Sequence, residues 1–130
     1  MSKPVNAACA VLLAALLAPP ARAEGSWGAV AYSPSTHNFG YSHGFPDPES
    51  AEVVAIEACL DQGAGDCESA VVFSNACGAV MAGPDGWGHA WDAAGEEAAQ
   101  ARAYDACSAN SDGCELVVSH CSPDQLIVAD

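Results

Sequence analysis

The sequence predicts an α+β domain built from two duplicated halves, each a strand-strand-helix-strand unit, stapled by disulfides. Three observations carry that prediction. A set of residues recurs in the same order about fifty positions apart. Period-two hydrophobic alternation gives way in each half to one helical stretch. Six cysteines follow an apolar N-terminal leader, most of them in matched places.

The leader comes first. "MSKPVN" carries one Lys and runs into "AACAVLLAALLA", after which Pro19-Pro20 and Ala21-Arg22-Ala23 follow. A charged start, a short apolar run and a small-x-small cleavage site are the grammar of a secretory signal peptide. The run is too short to cross a bilayer comfortably. Residues 1–23 are therefore expected to be removed on export to the periplasm or the medium, leaving one duplicated α+β domain over 24–122 and a short tail over 123–130.

Export changes the charge. Lys3 and Arg22 fall in the leader, so Arg102 alone stands against all seventeen acidic residues, a net of 1 − 17 = −16. Such a surface repels phosphate backbones and anionic headgroups, which excludes nucleic acid as a natural partner and disfavours membranes. It admits a cationic exported protein or peptide, or it serves solubility alone.

In the first unit, "WGAVAYS" and "NFGYSH" alternate as strands on either side of a Pro-Ser turn. Asp47 is suited to cap a helix, Pro48 to open it, and Glu49 and Glu52 to complement its dipole. Val53, Ile56 and Leu60 recur at helical spacing and are expected to form its buried stripe. "GAGD" ends the helix, and "CESAVVFS" is the third strand. The second unit repeats the order with "CGAVMAG", "GWGHAW", an Ala-rich helix from about Gly95 to Ser108, and "CELVVSH".

The correspondence is residue by residue. Gly28, Ala29, Val30 and Pro34 fall on Gly78, Ala79, Val80 and Pro84. Gly40, Ala51, Ala55, Ala58 and Cys59 then meet Gly88, Ala99, Ala103, Ala106 and Cys107, and Cys67, Glu68 and Val71 meet Cys114, Glu115 and Val118. This sets repeat one at 27–74 and repeat two at 77–121. Each unit alone has too little core, so the two are expected to share one. The outcome expected is a pseudo-twofold sandwich, or a mixed or barrel-like sheet, carrying two helices.

Six cysteines in a small exported domain read as disulfides, because that compartment is oxidising. No pair has the two-to-four-residue spacing usual for zinc ligands. The duplication favours Cys59 with Cys67 and Cys107 with Cys114, each joining a helix end to the next strand. Cys77 and Cys121 have no duplicated counterparts and are left to pair together. Six cysteines permit fifteen arrangements, so the spacing alone does not fix the pairing.

These segments resemble a known family. "GAVAYSPSTHNFGYSHG", the helix ending in Cys59, "SNACGAVMAGPDGWGHAW" and the helix ending in Cys107 are similar to the bacterial domain-of-unknown-function family 4189, over nearly all of Trp27 to Ser122. The resemblance implies an exported single domain with a duplicated strand-strand-helix fold. It implies no settled activity, and it brings no catalytic residues with it.

Candidate chemistry gathers on two strands. Trp87, His89 and Trp91 share one face of theirs, and Phe39, Tyr41 and His43 form the corresponding row in the first unit. The rows are either core packed on alanine-rich helices or a ligand surface, for which Tyr41, His43, Trp87, His89 and Trp91 are the candidates. Metal binding by His43, His89 and His120 with Asp47 or Asp92 finds no support in ligand spacing. Ser119 and His120 are neighbours in one strand and so point to opposite faces. No nucleophile-elbow or phosphate-loop pattern occurs, and no cofactor is expected. Two functions from different classes remain. One is a non-enzymatic binding or inhibitory module for a cationic partner. The other is a small hydrolase-like enzyme using a His and a carboxylate beside the aromatic rows.

Overall fold

The computed structural model describes residues 25–123. The leader over 1–23 and the tail beyond Pro123 lie outside the described residues. The first half runs β1 (Trp27–Tyr32), β2 (Phe39–Phe45), α1 (Pro48–Leu60) and β3 (Glu68–Ser74). The second runs β4 (Ala76–Ala82), β5 (Trp87–Asp92), α2 (Glu96–Ser108) and β6 (Glu115–Ser122).

Each half folds into its own three-stranded sheet, of order β2-β1-β3 in the first and β5-β4-β6 in the second, with every pairing antiparallel. The expected mixed or barrel-like sheet is corrected by this arrangement. In each half the helix carries the chain from one edge strand past the middle strand to the other edge. The two edge strands are held apart by the middle one, so a three-stranded sheet stays open and no barrel closes.

The two sheets pack face to face. Val30 and Tyr32 of β1, Val71 and Phe73 of β3, Val80 and Ala82 of β4, and Val118 of β6 form one buried cluster between them. Each fully buried Val or Phe there contributes about 1.5–3 kcal/mol. Period two turns the intervening residues outward, where they meet the helices. Ala29 and Ala31 pack on Ala51, Ala55 and Cys59 of α1, while Ala79 and Met81 pack on Ala99, Ala103 and Cys107 of α2. The layers run helix, sheet, sheet, helix, and the central core is shared by both halves.

Helix α1 begins as the sequence dictates: the Asp47 side chain accepts from the Ser50 backbone N–H at 2.8 Å, with Pro48 in the first turn. Its buried face, however, is not the expected Val53, Ile56 and Leu60 stripe. Ala51, Ala55 and Cys59 are buried, Ile56 is half-buried, and Val53 and Leu60 are 54% and 42% exposed. Close approach is the reason. A Cβ on Gly40 would stand 2.3 Å from the Ala55 carbonyl oxygen, and one on Gly88 would stand 2.2 Å from the Cys107 amide nitrogen. Helices this near a strand present only small side chains to it, so bulk is turned outward.

The matched halves agree in detail. Gln62 Nε2 donates to the Phe39 carbonyl at 2.8 Å, and Asn110 Nδ2 donates to the Trp87 carbonyl at 3.0 Å, tying each helix end to its edge strand. Disulfides Cys59–Cys67 and Cys107–Cys114 pin each helix C-terminus to the strand that follows. Cys77–Cys121 instead joins β4 to β6 directly across the second sheet, Cα atoms 3.9 Å apart.

Candidate functional site

The orientation of β2 is set by α1. Gly40 lies beneath the helix and the Ser42 hydroxyl donates to the Ala51 carbonyl at 2.7 Å, so both face outward. Phe39, Tyr41 and His43 therefore face the second sheet, where β6 lies opposite. On β5, Gly88 faces α2 in the same way, and Trp87, His89 and Trp91 turn toward the first sheet, where β3 lies opposite.

The two aromatic rows consequently line opposite edges of the sandwich and do not form one surface. Their ends are split between core and solvent. Phe39 and Trp87 pack on the central cluster, and the Trp87 ring lies 4.9 Å from that of Tyr32. Tyr41 and Trp91 are 45% and 50% exposed, and His43 and His89 are exposed as well. Trp87 and His89 are in contact, ring centroids 5.6 Å apart.

Tyr41 and His43 meet a third ring, His120 of β6. Centroid distances are 4.0 Å from Tyr41 to His120 and 5.0 Å from His43 to His120. His43 Nδ1 lies 3.1 Å from the Pro123 carbonyl oxygen. A carbonyl only accepts, so Nδ1 carries a proton there, and in the neutral ring Nε2 is the nitrogen with the lone pair. His120 Nε2 is buried and has no hydrogen-bond partner among the described residues. Burial pushes the His120 imidazole down to about 4, the neighbouring His43 pushes the same way, and Glu96 opposes both. At neutral pH its ring is uncharged.

Period two separates the neighbours Ser119 and His120. Ser119 is bound from the α2 side, donating to Glu96 and accepting from Gln100 Nε2 at 2.9 Å, while His120 faces β2. The aromatic rows read from the sequence left out His120, which the sequence grouped with His43 only as a possible metal ligand. The alignment of the halves held the signal, because it sets His120 against the core residue Phe73.

A groove of about 910 Å³ runs beside the first turn of α2, lined by Gly95, Glu96, Glu97, Gln100 and the Cys77–Cys121 bridge among others. Two carboxylates stand in it and no histidine does. Among the described residues no group of three or more His, Cys, Asp or Glu is disposed to hold a metal ion, so His43, His89, His120, Asp47 and Asp92 do not converge as a set. No described helix is long and apolar enough to cross a membrane.

The model of a family described as a domain of unknown function, DUF4189, matches residues 27–121. Neither a curated protein nor a solved structure matches the chain.

Proposed function

The chain belongs to the DUF4189 family, and on that premise we propose that it is an exported, internally duplicated binding or inhibitory module for a cationic partner. One observation carries the reading: Arg102 is the only Lys or Arg in the chain past residue 23, against seventeen carboxylates. Even that cation is partly neutralised, since Arg102 Nη1 lies 3.6 Å from the Asp92 carboxylate.

The fold supplies surfaces for those acids. Both helices bury an alanine face and turn the rest of their circumference to solvent, so Glu49, Glu57, Glu97 and Asp105 are exposed. Glu52 and Glu96 are tied instead to Ser69 and Ser119. The two helices stand on opposite outer layers, so these acids form two surfaces, and the acidic groove beside α2 is the concave part of the second. Long-range attraction to a basic protein would speed encounter and fade as salt shortens the Debye length.

The enzyme reading needs a histidine and a carboxylate within hydrogen-bond reach in a concavity. Glu96 acts electrostatically on His120, but the two lie on opposite faces of β6, Glu96 being bound by Ser119. We keep the binding reading for that reason.

The test is retention of exported proteins on the immobilised domain at low salt and at about 0.5 M, where the Debye length is well under 10 Å. A basic protein retained at low salt, released at high salt, and lost when Glu49, Glu57, Glu97 and Asp105 are changed to Lys supports the proposal. Retention indifferent to salt and to charge reversal defeats it.

A further inference from the structure

We propose that His43 and His120 form a two-imidazole site for a divalent transition-metal ion of the imidazole-preferring class, Zn2+ or Cu2+, with water completing the coordination shell. The site lies at the edge of the sandwich where β2 meets β6, apart from the helix carboxylates, and does not depend on a protein partner.

Spacing is the first support. A metal–nitrogen bond is about 2.0–2.1 Å, and two imidazoles on one tetrahedral ion then have ring centroids about 5 Å apart. The His43 and His120 centroids are 5.0 Å apart with ring planes at 54°. Orientation is the second. Metal-binding histidines commonly donate their other ring N–H to a backbone carbonyl, which fixes tautomer and ring. His43 does this through Nδ1 to Pro123, leaving Nε2 for a ligand.

The third support is the unexplained nitrogen. Among the described residues His120 Nε2 is buried without a hydrogen-bond partner, an arrangement that folded proteins rarely leave unfilled and that a bound ion would satisfy. The other half shows that the fold does not require it. In the register that sets Gly40 against Gly88, His43 corresponds to Trp91, and in the one that sets Val71 against Val118, His120 corresponds to Phe73. Where one edge of the sandwich has Trp and Phe, this edge has two imidazoles. His43 is exposed and opens the site to solvent, and the Tyr41 ring packs at a tilt against the other imidazole. The negative field of the domain raises the local concentration of any dication.

The experiment titrates Cu2+ into the oxidised, chelator-treated domain, read by calorimetry and by electron paramagnetic resonance, with Zn2+ as competitor. Two variants install the aromatic residues of the opposite edge, His43→Trp and His120→Phe. The expected result is one saturable ion per chain with nitrogen hyperfine coupling, displaced by Zn2+. Affinity should fall at least about tenfold in each variant and stay unchanged in Val53→Ser, on the outward face of α1. His43 is exposed, so His43→Trp remains decisive even if His120→Phe folds poorly. An absence of saturable binding, a signal from oxygen ligands alone, or variants that bind like the parent would overturn the proposal.

Discussion

His120 occupies in the second sheet the place that Phe73 occupies in the first. Each stands directly opposite the glycine of its middle strand, Gly78 for His120 and Gly28 for Phe73. One is a hydrocarbon ring in the shared core and the other an imidazole with a buried nitrogen that has no partner among the described residues. The substitution has consequences for stability as well as for binding.

With metal removed, stability should depend on pH through His120. Its folded-state value, about 4, lies below the ordinary 6.5, so the unfolded chain takes up the proton first as pH falls. This contribution is complete above about pH 6.5 and is lost as pH drops toward about 4. It amounts to roughly 2 kcal/mol, less than the full shift implies because part of the ring is solvated. Urea midpoints at pH 7.5, 6, 5 and 4 should decline in the parent and stay nearly flat over that window in His120→Phe. Asp66, held below the usual carboxylate range by the Ser33 hydroxyl, adds a loss only at more acidic pH.

The close approach of helix to strand yields a second expectation. Gly40→Ala and Gly88→Ala should each destabilise by about 1–3 kcal/mol, because the added methyl meets helix backbone that cannot yield cheaply. Ala55→Val should cost a comparable amount. Val53→Ser, on the outward face, should stay within about 0.5 kcal/mol of the parent. Thermal melts of the four variants decide which face of α1 is structural.

The contrast shows what the sequence made legible. Strand alternation and the Asp47-Pro48 cap located every element, because period and capping are local signals. The matched cysteines, and the two left without counterparts, fall into the same pairs that the structure bridges. The buried stripe of α1 was misread because Val53 and Leu60 are more apolar than Ala51 and Ala55. What decides the face is the glycine on the strand below, a tertiary fact. The separate sheets were missed for the same reason, since pairing partners are not written in any one strand. Tyr41 and His43 were legible as a shared face, whereas their contact with His120 depends on how the two sheets stack.

The bridges should differ in weight. Cys77–Cys121 spans 44 residues, and in the chain-entropy model it contributes about 4 kcal/mol, against about 2.5 for the loops of eight and seven residues at the helix ends. Paired Cys→Ala variants, melted one bridge at a time, should show the largest fall for Cys77–Cys121. An equal or smaller fall there would mean that the denatured chain is not the main source of the effect.

The central claim is that the carboxylate surface recruits a cationic exported protein. Its most direct measurement is the association rate of the domain with the retained basic partner as a function of salt. The rate should fall at least about tenfold between about 0.05 and 0.5 M salt, with dissociation changing much less. Changing Glu49, Glu57, Glu97 and Asp105 to Lys should abolish that dependence. A rate that is constant across the salt range and identical in the reversed variant would contradict the account.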